Sequence, residues 1–212
     1  MGEATTVYLV RHAAHDRVGR VLCGRMPGVS LGAAGRSEAA ALAARFVGEE
    51  IAAVMSSPLE RARETAGPIA AALRLPVTTC QDLNEIDFGA WTGRAFADLD
   101  GDPAWADWNH HRAEGCPPGG EAMHVAQSRA VGAVQGWQGL FPGRAVVAVS
   151  HADVLKSVIC SVLGLSLDRL HSFDVAPASV SALVLWAGGG KVLSVNERVA
   201  GPTEASLSGL AA

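Results

Sequence analysis

Residues 6–10, TVYLV, form a short β-branched apolar run without a helical period, and Arg11-His12 follow at once. The pattern predicts a buried strand with a charged pair at its carboxyl end. After a Gly/Pro-containing loop through Gly24 and Gly32, residues 35–50 carry Leu42 and Phe46 among alanines, with Glu38 and Arg45 on the polar side; this spacing predicts an amphipathic helix. Residues 51–55 read as a second strand. In Ser56-Ser57-Pro58 a serine can cap and the proline can open a helix over 59–75, and Pro68 is expected to kink that helix or end it early.

Residues 76–83 read as a third strand. The stretch 84–121 then changes character, with Trp91, Trp105, Trp108, the pair His110-His111 and the PPGG run at 117–120, and predicts an irregular excursion or lid at about 89–120. A helix over 121–140 leads into AVVAVS at 145–150, an apolar strand ending in His151, so the first strand's pattern recurs. A helix over 154–163, a strand over 180–186, a glycine turn and a last strand over 191–196 follow, and the tail from about 201 is expected to be loose. Strands alternating with helices predict an α/β three-layer sandwich with a mainly parallel central sheet flanked by helices, as a single domain over 1–212.

The 212 residues are 49% hydrophobic and 18% charged, enough for a packed core. A net charge of −4 argues against a nucleic-acid partner. No run long enough to span a membrane is present, and the opening residues lack the apolar stretch of a signal peptide, so a cytoplasmic enzyme with no membrane partner is expected. Cys23, Cys80, Cys116 and Cys160 are scattered and suggest neither a zinc knuckle nor a disulfide framework. Lysine occurs only at Lys156 and Lys191, so arginine supplies most of the positive charge; a coding bias in an Ala/Gly-rich chain explains that better than phosphate recognition does. No heptad pattern marks an interface, and a monomer or a homodimer fits.

In a parallel sheet, ligands bind at the carboxyl ends of strands. Arg11-His12, Ser56-Ser57 with Arg61 one turn beyond, and Ser150-His151 are therefore expected on one rim. Guanidiniums are permanently charged and disfavour protonation of imidazoles beside them, so two arginines with two histidines suit an anionic substrate. Arginine can grip the oxygens of a phosphoryl group while a neutral imidazole attacks phosphorus. Glu85 is the candidate proton carrier and Asp87 its rival. With this fixed positive charge neither a metal nor another cofactor is required, and His110-His111 read as solvent-facing lid residues.

LVRH at 9–12, SSPLERARETA at 56–66, NEIDFGAWTG at 84–93, PGGE at 118–121 and VSHADVLK at 149–156 together resemble the histidine phosphatase superfamily, which also contains the cofactor-dependent phosphoglycerate mutases. The resemblance spans residues 6 to about 165 in the family's order and implies a phosphoglycerate mutase-like fold. It implies His12 as phosphorylated nucleophile, Arg11, Arg61 and His151 as the phosphate pocket, and Glu85 as proton donor. Its expected activity is a metal-independent phosphomonoesterase acting on a small phosphorylated metabolite.

The family's motif usually continues with glycine, then glutamate or glutamine, then threonine, with asparagine three residues further on; here those places hold Ala13, Ala14, His15 and Val18. Alanine at 13 is tolerated where φ is negative. The missing asparagine contact is expected from His15, Arg17 or Arg25, of which His15 and Arg25 join the candidate substrate-binding set. Two alternatives stand beside the phosphatase: a phosphomutase, although Glu85-Ile86-Asp87-Phe88-Gly89 lacks the Glu-Arg-His-Tyr-Gly of the mutase branch, and a phosphate-binding protein that has lost turnover. The lid tryptophans either stack on substrate or pack the excursion onto the body.

Overall fold

The computed structural model describes residues 3–199, and the expected loose tail lies outside them. Six strands form one sheet: β1 (Thr5–Arg11), β2 (Ile51–Ser56), β3 (Val77–Thr79), β4 (Ala145–Ser150), β5 (Ser179–Trp186) and β6 (Gly189–Arg198). Their spatial order is β3-β2-β4-β1-β5-β6. The four strands from β3 to β1 run parallel, while β5 and β6 add as an antiparallel edge.

The helices cover both faces. Helices α1 (Ala33–Phe46) and α2 (Glu60–Leu73) pack on Val10, Val147 and Val149. On the other face Val7, Leu9, Val146 and Ala148 meet α5 (Met123–Leu140) and α6 (Ala152–Leu163). Because β4 is buried on both faces, its sequence is continuously apolar rather than alternating. No described helix is long and apolar enough to cross a membrane.

Several boundaries depart from expectation. Helix α1 stops at Phe46, before the expected residue 50, and the chain turns at Gly48, whose φ is +88°. The third strand ends at Thr79; Gln81–Leu83 close a 3-10 turn through Leu83 N–H donating to the Cys80 carbonyl. Helix α2 begins after Leu59 without a side-chain cap, so neither serine caps it. Pro68 lies inside α2 without ending it, because Ala66, Ile69 and Ala70 are buried around it and their packing outweighs one lost backbone hydrogen bond.

The excursion is more ordered than its composition predicted. It forms α3 (Phe96–Leu99) and α4 (Pro103–His110), the latter capped by Asp102 accepting from Ala104 N–H. Trp91 and Trp108 are buried, and both make edge contacts with neighbouring rings, so they pack the excursion onto the body. His110 and His111 face solvent, as expected.

Candidate active site

Each strand end delivers its side chains through backbone hydrogen bonds that continue the sheet. His12 N–H donates to the Ser150 carbonyl and Ser57 N–H to the Val149 carbonyl, both at 2.9 Å. The residues after β1, β2 and β4 are thereby held side by side. Gly35 lets α1 pass directly over this corner, where a Cβ would overlap the Ala14 carbonyl oxygen.

His12 is 4% exposed. Its Nδ1 lies 2.8 Å from the Ala13 carbonyl oxygen, which can only accept, so Nδ1 carries the proton and Nε2 keeps a free lone pair. Burial, then the positive charges of Arg61 and Arg11, hold the ring's pKa well below the ordinary histidine value. The Ala13 amide is satisfied by the Thr65 hydroxyl at 2.9 Å. Ala13 is not among the left-handed residues, so the extra methyl sits on ordinary backbone, as its tolerance required.

His151 is fully buried, with its ring centroid 5.2 Å from that of His12. Arg61 Nη2 donates to its Nδ1 at 3.2 Å, which places the proton on Nε2, donated to Ser57 Oγ at 2.8 Å. Ser57 therefore orients a catalytic-rim imidazole instead of capping α2. Burial and the cations of Arg61 drive the His151 pKa well below the ordinary value, so this ring is also neutral.

Arg61 donates its Nη2 to the Gly24 carbonyl as well, while its Nε and Nη1 are buried without a partner; Arg11 donates Nη1 to the Val175 carbonyl and leaves its buried Nε unpartnered. Buried guanidinium N–H groups without acceptors are costly, and here they sit in the walls of a cavity lined by His12 and Glu85. An oxyanion is the acceptor that such a set fits.

Glu85 lines the same cavity, with its Oε2 3.6 Å from His151 Nδ1. Burial pushes its carboxyl up to about 7, against the opposing pull of Arg61. A carboxyl poised there can give and take a proton near neutral pH. Asp87 is turned away: it accepts from Gly89 N–H and its side chain is 45% exposed.

His15 also lines the cavity, its ring stacked on His12 at 5.3 Å. Its Nδ1 accepts from Arg17 N–H at 3.3 Å, leaving an N–H at Nε2, and burial with Arg61 and Arg11 lowers its pKa to about 4. Arg17 and Arg25 are not among the lining residues. Arg25, expected to reach the phosphate, instead pairs with Glu121 at 2.9 Å and donates Nε to the Glu85 carbonyl at 2.8 Å, because the Glu121 carboxylate lies within its reach.

Sequence reasoning missed the residues that act across the chain. Arg129 grips both oxygens of Glu121 and also donates to the Glu85 carbonyl, so two guanidiniums and one carboxylate fix the loop carrying Glu85. Arg112 pairs with Asp153 at 2.7 Å and stacks on Trp108 at 3.5 Å, tying the excursion to the start of α6. No linear spacing signals these contacts; only PGGE pointed to Glu121. A larger groove of about 830 Å³ along α5, α6 and the β5–β6 turn has no titratable side chain in its lining and is not a site for this chemistry.

The sequence matches the Histidine phosphatase superfamily (branch 1) over residues 7–198. The chain belongs to that family. It is 41% identical over 189 residues to the uncharacterized protein Rv0525 of Mycobacterium tuberculosis, covering 87% of this chain and 92% of that protein. It is 29% identical to phosphoserine phosphatase 1 of Hydrogenobacter thermophilus, covering 89% and 90%. The solved structure of Bacillus stearothermophilus YhfR superposes with a TM-score of 0.85 at 29% identity, covering 91% and 97%. As a member of this family of phosphatases, the chain is a phosphoric monoester hydrolase with an α/β fold around a mostly parallel sheet.

Proposed function

We propose that this histidine phosphatase hydrolyses a small phosphorylated metabolite through a phosphohistidine at His12, without a metal ion. The observation that carries the reading is the committed tautomer of His12: with Nδ1–H held by the Ala13 carbonyl, the Nε2 lone pair faces a cavity whose guanidinium N–H groups lack acceptors.

In the first step His12 Nε2 attacks phosphorus and the bond to the leaving oxygen breaks. Glu85, protonated, gives that oxygen its proton. Arg11 and Arg61 stabilise the charge spread over the equatorial oxygens, while His151, which does not line the cavity, holds Arg61 from behind through its Nδ1 and is itself fixed by Ser57. In the second step the ionised Glu85 takes a proton from water as its oxygen attacks phosphorus, the N–P bond breaks, and inorganic phosphate leaves with His12 restored. His15, through Nε2–H, supplies a further donor to the phosphoryl group. Four free cysteines fit a reducing, cytoplasmic setting.

The test is hydrolysis of p-nitrophenyl phosphate in excess EDTA by the wild type and by His12→Ala. Turnover that survives EDTA and vanishes in the variant is expected; turnover retained by the variant overturns the assignment.

A further inference from the structure

Resting on the phosphatase reading, we infer that the substrate's non-phosphate part is an uncharged, ring-sized apolar group, and that the wall formed by Val18, Val21, Leu22, Phe88, Phe96 and Trp105 selects it.

The cavity has two chemically distinct ends. Its floor holds His12, Arg11, Arg61 and Glu85, while those six apolar residues form a wall facing the paired Arg112 and Asp153 with Asn109. The opposing walls are tied together: Val21 bridges Ala95, Leu22 N–H donates to the Arg94 carbonyl and Phe96 N–H to the Arg20 carbonyl. The apolar wall is therefore part of the folded body and not a loose flap. Trp105 stands on it, stacked on Trp108 at 5.3 Å with a 28° interplanar angle and edge-on to Trp91. A rigid indole presented to a cavity binds flat apolar groups with little entropy cost.

The charge count excludes the usual alternative. Among the described residues, the lining cations are Arg11, Arg61 and Arg112. The charge of Arg112 is met by Asp153 at 2.7 Å and its second Nη donates to Asn109 Oδ1 at 2.8 Å; its Nε has no partner, but the guanidinium lies against the Trp108 ring at 3.5 Å. His15 is neutral, for the reasons given above. Arg11 and Arg61 lie at the phosphate end, so a second anion on the substrate, a carboxylate or another phosphate, would be buried near Asp153 and Glu85 with the Arg112 charge already compensated. At about 310 Å³ the cavity takes one ring beside its phosphate.

The experiment compares esters whose leaving groups are all alkoxides, so that differences report recognition: 2-phenylethyl phosphate, glycerol 1-phosphate, O-phosphoserine and 3-phosphoglycerate. The expected result is a kcat/KM for 2-phenylethyl phosphate about tenfold or more above both carboxylate esters, carried by KM. The corresponding phosphonates, as competitive inhibitors, follow the same order. Val18→Arg, a loop substitution outside both core clusters, adds the missing cation and narrows the ratio about tenfold by lowering KM for 3-phosphoglycerate. Trp105→Leu narrows it from the other side. Carboxylate esters preferred by the wild type, with p-nitrophenyl phosphate still hydrolysed, overturn this inference alone; no turnover of any ester overturns the phosphatase reading and this inference with it.

Discussion

The rings of His12 and His15 lie stacked, 5.3 Å between centroids and 26° from parallel. His15 stands where the family pattern places threonine, and its backbone-fixed Nδ1 leaves one N–H for the cavity. A hydrogen bond to a charged acceptor contributes roughly 1.5–3 kcal/mol. His15→Ala should accordingly raise KM for p-nitrophenyl phosphate by about tenfold or more with kcat within about threefold. A steady-state KM unchanged by the substitution would make His15 a packing residue.

Glu85 sets a limb of the pH profile. Its acid form is needed in the first step and its pKa is raised to about 7, so kcat/KM for alkyl phosphates should fall as pH rises through about 7. p-Nitrophenolate needs no proton on departure, and its limb should be shallow. Glu85→Gln should slow alkyl ester cleavage by roughly 100-fold, within the range typical of general acids. With p-nitrophenyl phosphate it should give a burst of one product per enzyme followed by slow turnover, because the base for water is gone. Rapid-quench kinetics distinguishes the two steps.

The strands and the rim were legible in the sequence for a physical reason. TVYLV and AVVAVS are buried on both faces, so they read as continuous apolar runs, and the polar residues that end them fall on the ligand side by the geometry of parallel strands. What escaped notice depends on long-range contact. Ser57 looked like a helix cap because its partner, His151, is 94 residues away. Arg25 looked like a phosphate ligand because nothing in its neighbourhood disclosed Glu121, 96 residues on. Arg112 and Arg129 carried no local signal, and the three tryptophans hid two roles: Trp91 and Trp108 are core, while Trp105 packs and also lines the cavity.

Glu121 should behave as a positioning residue. It neutralises Arg25 and Arg129, both of which hold the Glu85 carbonyl. Glu121→Gln leaves Arg129 without a carboxylate partner and Arg25 with Asp87 alone, at 3.8 Å, beside Glu85, which lowers the Glu85 pKa. The alkaline limb of kcat/KM should shift to lower pH and kcat should drop about tenfold. A fall in activity without that shift would mean that Glu121 supports the fold alone.

Acid should destabilise the protein. His12, His15 and His151 have pKa values below the unfolded value of about 6.5, so as pH falls below that value the unfolded chain takes up protons that the native state refuses. Each such histidine removes about 1.4 kcal/mol of stability per pH unit within its window, which for His15 runs down to about 4. Glu85, with its raised pKa, acts in the opposite direction between about 7 and its unfolded value of about 4.3, and offsets one of the three. Urea unfolding should therefore show stability falling between pH 6.5 and 4, less steeply in His151→Gln.

The proposed catalysis turns on a covalent phosphoryl group on one nitrogen of one side chain. Acid-free quenching of the enzyme with p-nitrophenyl phosphate, followed by intact mass and fragmentation under alkaline conditions, reads it directly. The expected result is an acid-labile adduct of one phosphoryl group on His12 that accumulates in Glu85→Gln and is absent from His12→Ala. Burst kinetics without an adduct on His12, or an adduct on another residue, would contradict it.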